Sequence, residues 1–162
     1  MELSPFEKGG FVKKLFIQIP PTSVTTKNLY TRYGSPSEWQ KAMTFAWVEK
    51  INTEYKDQKL VIIEGQVNLD FIIEAFKKVK LNQYKIILFH CDNKIRHERL
   101  HIDRNQPELV NDDMDNWSEF LKKQAIDKKI PILDIISMNA DEMVNQFERI
   151  INGDLNNEYI IN

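Results

Sequence analysis

Apolar residues fall along this chain in two alternating rhythms. Short continuous runs suit strands buried on both faces, and longer stretches with apolar positions every third or fourth residue suit amphipathic helices. The runs are Phe11–Ile19, Leu60-Val61-Ile62-Ile63, Ile86-Ile87-Leu88-Phe89 and Pro131–Ile136. Pro20-Pro21 stops the first, because neither proline can donate to a strand ladder. Helical periodicity begins at Ser35-Pro36-Ser37-Glu38, a capping box with proline at the first helical position. It continues to about Tyr55 with Trp39, Met43, Ala46, Trp47 and Ile51 on one stripe. A second helix, capped by Asn68 or Asp70, carries Phe71, Ile72, Ala75, Phe76 and Val79, and closes with Lys77, Lys78 and Lys80 near its negative end. A third, after Asn111-Asp112-Asp113, presents Met114, Trp117, Phe120, Leu121 and Ala125. A last one, from Asn139 to Asn152-Gly153, presents Met143, Phe147, Ile150 and Ile151. Residues 22–33 are ambiguous: β-branched Thr22, Val24, Thr25 and Thr26 argue against a helix, while Asn28 to Tyr33 would permit a turn of one.

Strands alternating with helices predict an α/β fold: a mostly parallel sheet of about four to five strands with helices on both faces. The expected organisation is a flexible leader over residues 1–10, one domain over 11–152 and a loose tail over 153–162. In such sheets function collects at the carboxyl ends of the strands. Here those ends are Glu64-Gly65-Gln66, His90-Cys91-Asp92 and Asp134.

Just past the third run, Arg96, Arg99 and Arg104 accompany Lys94, His97 and His101. Arg96 and Arg99 share a helical face. Planar guanidinium forks beyond a buried strand suit a phosphate. The same pattern also suits a solvated charged face laced by Glu98 and Asp103. Asp134 could contact a ligand or cap the turn that follows it. The three histidines show no metal-ligand spacing and read as surface or packing residues, and Cys91 reads as an inert core thiol.

Composition narrows the partners. The chain has 162 residues, 42% of them apolar and 28% charged, and a formal net charge of −2. No overall field draws it to nucleic acid or to an anionic membrane. A single cysteine leaves no internal disulfide, no apolar run reaches membrane-span length, and the opening stretch lacks the apolar core of an export signal. These features lead to the expectation of a cytoplasmic protein.

Leu60–Gln66, His90-Cys91-Asp92, Arg96–Leu100 and Arg104–Leu109, with Asn116-Trp117 and Leu133-Asp134, resemble the P-loop small-molecule kinases, the AAA-type or adenylate-kinase-like ATPases. The resemblance covers residues 35–151 in order. It implies a three-layer P-loop NTPase-like domain, and ATP and Mg²⁺ as cofactors. It also implies a small-molecule phosphate ligand as substrate. Carried onto this sequence, Glu64 is the metal-side acid of a Walker B-like strand, with Gly65 and Gln66 beside the nucleotide. Arg96, Arg99 and Arg104 are the lid arginines that clamp the transferring phosphoryl group.

One part of that family's pattern is missing. No G-x-x-x-x-G-K-[ST] occurs in the chain, so the amide cradle and its lysine are absent. One alignment leaves only Thr26 matching, in Ile19–Thr26. Another reads Val24–Tyr30 as the family's second strand, with the P-loop absent altogether. The expectation is a kinase-like protein with impaired or lost phosphotransfer. The alternatives are a non-catalytic module that binds a phosphate ligand or a partner, and a shortened remnant of such a kinase.

Overall fold

The computed structural model describes residues 14–18, 32–58 and 60–153. The predicted leader, Thr26, the flanks of the first run and the tail beyond Gly153 lie outside the described residues. The chain divides into two compact units at Asn82/Gln83.

The first unit contains β1 (Lys14–Gln18), α1 (Pro36–Glu54), β2 (Leu60–Glu64) and α2 (Leu69–Lys78). β1 and β2 pair in parallel, with Lys14 opposite Leu60 and Gln18 opposite Glu64. Helix α1 starts where Ser35 Oγ accepts the Glu38 N–H at 3.1 Å, with Pro36 needing no donor at the first position. Asn68 caps α2 by accepting the Asp70 N–H at 2.9 Å, which decides between the two predicted caps. The two helices pack together. Lys41 of α1 reaches Glu74 of α2 at 2.9 Å while lying over the rings of Phe45 and Phe71, so its stem covers apolar surface and its head stays paired.

The second unit contains β3 (Leu88–His90), α3 (Asn93–Ile102), a short 3-10 turn (Pro107–Leu109), α4 (Asp112–Asp127), β4 (Ile132–Asp134) and α5 (Ala140–Asn152). β3 and β4 pair in parallel, with Leu88 opposite Ile132 and His90 opposite Asp134. Strand alternation sends Phe89 to one face, where its ring lies 5.9 Å from Phe147 of α5. It sends His90 to the other, among Glu119 and Lys122 of α4. Ala125, Leu121, Ile132, Leu133 and Ile150 form the buried apolar centre of this unit with Leu100 and Ile130. Asn139 and Glu142 close a reciprocal capping box at the start of α5. At its far end Lys85 donates to the carbonyls of Ile150 and Ile151 at 2.8 and 2.7 Å, and Gly153 adopts φ +82°, so cation and glycine together finish the helix.

The expected three-layer P-loop NTPase-like domain with one sheet of four to five strands is therefore corrected. The described strands form two separate two-stranded parallel sheets. Their connectivity is parallel as predicted, but β3 and β4 are only three residues each and residues 81–87 take no regular structure. Leu60–Ile63 are half-buried rather than enclosed on both faces. A continuous apolar run signals a covered strand but carries no information about which strand it joins. The apolar stripe of α1 also shifts. Thr44, Val48 and Ile51 are buried, whereas Ala46 is exposed and Trp39, Met43 and Trp47 are half-buried. Phe120, expected on the inner face of α4, is 41% exposed and stacks on Trp117.

Candidate functional site

Parallel pairing aligns the carboxyl ends of β3 and β4, and this edge of the second unit gathers most of the chemically capable side chains. The chain leaves β3 through Cys91 and Asp92. Asp92 accepts the Lys94 N–H at 2.8 Å and so starts α3 at that edge. Across from it, Asp134 accepts the Ile136 N–H at 3.0 Å. Its carboxylate therefore caps the turn after β4, one of the two roles open to it from the sequence.

The arginines of α3 leave the helix in different directions. Arg99 points along the edge: one terminal nitrogen lies 3.1 Å from the Ile135 carbonyl oxygen and 3.2 Å from that of Ile136. Its other terminal nitrogen lies 3.9 Å from the Cys91 sulfur. Carbonyls that have run past the end of β4 thus find a cationic donor, a charge-assisted arrangement roughly twice as strong as a neutral one. Arg96 points instead to α4, where Nη2 donates to Oδ1 of Asp115. His97 places Nε2 2.8 Å from the same oxygen, so the nitrogen facing a carboxylate is the protonated one. The two donors hold the Asp115 carboxyl below its ordinary range, with the His97 hydrogen bond the larger cause and the nearby Arg96 charge reinforcing it.

Arg104 lies beyond the end of α3. The helix closes as the N–H groups of Asp103 and Arg104 both reach the Arg99 carbonyl and Gln106 reaches that of Leu100, with Asn105 at φ +50°. Arg104 is left exposed in this turn, as are Lys94 and His101 on the helix.

A buried polar group lies behind the edge. His90 is only 6% exposed, and neither ring nitrogen has a hydrogen-bond partner among the described residues. The same holds for Oδ1 of Asn93 and Nε of Arg96. Burial lowers the His90 pKa, the Lys122 and Arg96 charges push the same way, and Asp134 and Glu119 oppose them. Burial likewise pushes the Cys91 thiol up, against the pull of Arg99, so the sulfur stays protonated and weakly nucleophilic at neutral pH.

The remaining predicted site residues belong to the first unit or fall outside the description. Glu64, Gly65 and Gln66 are exposed at the end of β2. The Gln66 carbonyl accepts from the Gln40 amide at 3.4 Å. Thr26 lies outside the described residues. No group of three or more His, Cys, Asp or Glu side chains is placed to hold a metal ion among the described residues. Glu64 supplies one exposed carboxylate, and the chain has no glycine-rich loop or cradle lysine to bring a triphosphate to it, so these residues do not fit a Mg·ATP centre. No described helix is long and apolar enough to cross a membrane.

The sequence did not reveal the role of Asp115, and it left His90 between a surface and a packing role, of which the structure shows the second. Asp115 is one of three acids in the first turn of α4, where any of them favours the helix dipole, and spacing cannot show which one faces α3. His90 follows an apolar run directly, and that position was the available signal for burial.

No family model, curated protein or solved structure matches this chain.

Proposed function

We propose that this protein is a non-catalytic phosphate-binding relative of the small-molecule kinases, and that its second unit holds a phosphate-bearing ligand without transferring the phosphoryl group. The observation that carries this reading is the seating of Arg99 on the carbonyls of Ile135 and Ile136, which brings one guanidinium of α3 to the shared carboxyl edge of β3 and β4. That edge is where parallel strands receive ligands. Arg96, turned toward α4, keeps a buried donor in Nε with no acceptor among the described residues, and Arg104, Lys94 and His101 are exposed nearby along the chain. The motif-by-motif resemblance over residues 35–151 supports the kinase ancestry, and the missing G-x-x-x-x-G-K-[ST] supports the loss of phosphotransfer. Positioning and charge stabilisation supply nearly all the catalysis of phosphoryl transfer, and both start at that loop.

The test is calorimetry of the full chain with ATP, with and without Mg²⁺, beside an assay for ADP release. Weak ATP binding with no ADP release is the expected result. Micromolar Mg·ATP binding with turnover contradicts it.

A second reading, a partner-binding module, is favoured by the exposure of Phe89, Phe120, Ile126 and Ile136 in the second unit. ATP binding indifferent to salt, together with self-association at micromolar concentration, would favour that reading over the first.

A further inference from the structure

Arg96 is paired through one corner of its guanidinium. Nη2 donates to Oδ1 of Asp115, while Nε, on the same edge of the planar group, is buried without an acceptor among the described residues. A carboxylate that met both nitrogens would form the strong two-point fork; this one meets a single nitrogen and shares its oxygen with His97 at 2.8 Å. The side chains of Arg96, His97 and Asp115 are 20%, 31% and 24% exposed, so the cluster lies within reach of solvent and of dissolved anions. A phosphate group carries more negative charge than a carboxylate and offers three acceptor oxygens. It could satisfy Nε and Nη2 of Arg96 together and accept from His97 as well.

We propose that Asp115 is an internal counter-ion that occupies Arg96 and His97 in the ligand-free protein and that a phosphate group displaces on binding. The proposal rests on the phosphate-binding reading above and adds its regulation: the site is self-inhibited by the first turn of α4. Affinity is then set by an exchange of anions rather than by filling of a bare cationic pocket. Removing the carboxylate charge should tighten phosphate binding even though it breaks a hydrogen-bonded pair. Asp112 provides the control, because it stands in the same first turn and carries the same charge but is exposed.

The experiment titrates inorganic pyrophosphate into the full chain and into Asp115→Asn and Asp112→Asn. In parallel it follows the arginine side-chain nitrogen resonances of the unmutated protein. Asp115→Asn should bind roughly fivefold more tightly, the scale of a partly exposed ion pair, and Asp112→Asn should stay close to the unmutated chain. The Arg96 Nε resonance should move on saturation while that of Arg99 holds. Unchanged or weaker binding by Asp115→Asn, with the unmutated chain binding normally, overturns the counter-ion role and leaves the phosphate-binding reading standing. Equal tightening by Asp112→Asn reduces the effect to general charge and also overturns it. No binding by any of the three chains overturns both readings. Should Asp115→Asn fail to fold, an Arg96 Nε resonance unmoved at saturating pyrophosphate overturns the proposal on its own.

Discussion

His97 Nε2 lies 2.8 Å from Oδ1 of Asp115, joining the second turn of α3 to the first turn of α4. The Asp115 pKa is lowered from its ordinary value of 3.8, so the folded chain binds this proton less readily than the unfolded one. Its contribution to stability is therefore complete above the ordinary carboxylate range and is lost as pH falls through the lower folded value. Urea unfolding at successive pH values should show Asp115→Asn less stable than the unmutated chain at pH 6, with the gap closing at strongly acid pH. A gap that stays constant over that range would contradict the linkage.

His90 titrates with the same sign. Its pKa is lowered from 6.5 because burial opposes the charged ring, so the unfolded chain takes up protons first as pH falls. Stability should be full above about pH 7 and decline below the ordinary histidine range until the depressed folded value is passed. His90→Leu removes the titration and also removes two buried nitrogens with no described partner. It should flatten the acid limb between neutral pH and pH 5. At neutral pH it should be neutral or stabilising, because leaving a buried polar group unsatisfied costs about 1–3 kcal/mol. Denaturant unfolding at both pH values checks this. A steeper acid limb in the variant would show that His90 is satisfied in solution.

Arg99→Ala should destabilise the second unit by about 1.5–3 kcal/mol, the range for hydrogen bonds to a charged group. Arg99→Lys should recover only part of that, since an ammonium lacks the planar fork. Hydrogen exchange should report the loss around the turn after β4. A loss confined to exposed loops elsewhere would contradict the role of Arg99 in bridging α3 to that turn.

In α1, Val48→Ala should cost about 1–3 kcal/mol by leaving a gap at a fully buried position. Ala46→Ser should stay within about 0.5 kcal/mol because position 46 faces solvent. Thermal unfolding of the two variants distinguishes the observed stripe from the one drawn from spacing alone.

That contrast shows how far the sequence could be read. The starts of α1, α2, α3 and α5 were legible because Ser35, Asn68, Asp92 and Asn139 sit next to the groups they cap, and such signals are local. The inner face of α1 was misplaced because large aromatics dominate a periodicity count. Trp39 and Trp47 are half-buried, and the small residue Thr44 lies fully inside, its hydroxyl donating to the Gln40 carbonyl at 2.7 Å. The width of the sheet could not be read, since strand pairing joins distant residues and each run looks the same whether it has one neighbour or two. At the site, spacing put Arg96 and Arg99 on one face of α3. It did not show that Arg96 is taken up by Asp115, 19 residues later, or that Arg99 is taken up by carbonyls 36 and 37 residues later.

The claim that α3 and its flanking turn hold phosphate is tested most directly by titrating ATP into the full chain and into Arg104→Ala at about 50 mM and about 300 mM salt. The exposed guanidinium of Arg104 acts through screened charge. The account predicts weak binding at low salt, weakened several-fold by the substitution, with most of the difference gone at high salt. ATP affinity that is the same in both chains and at both salt concentrations would contradict it and return the arginines to a purely structural role.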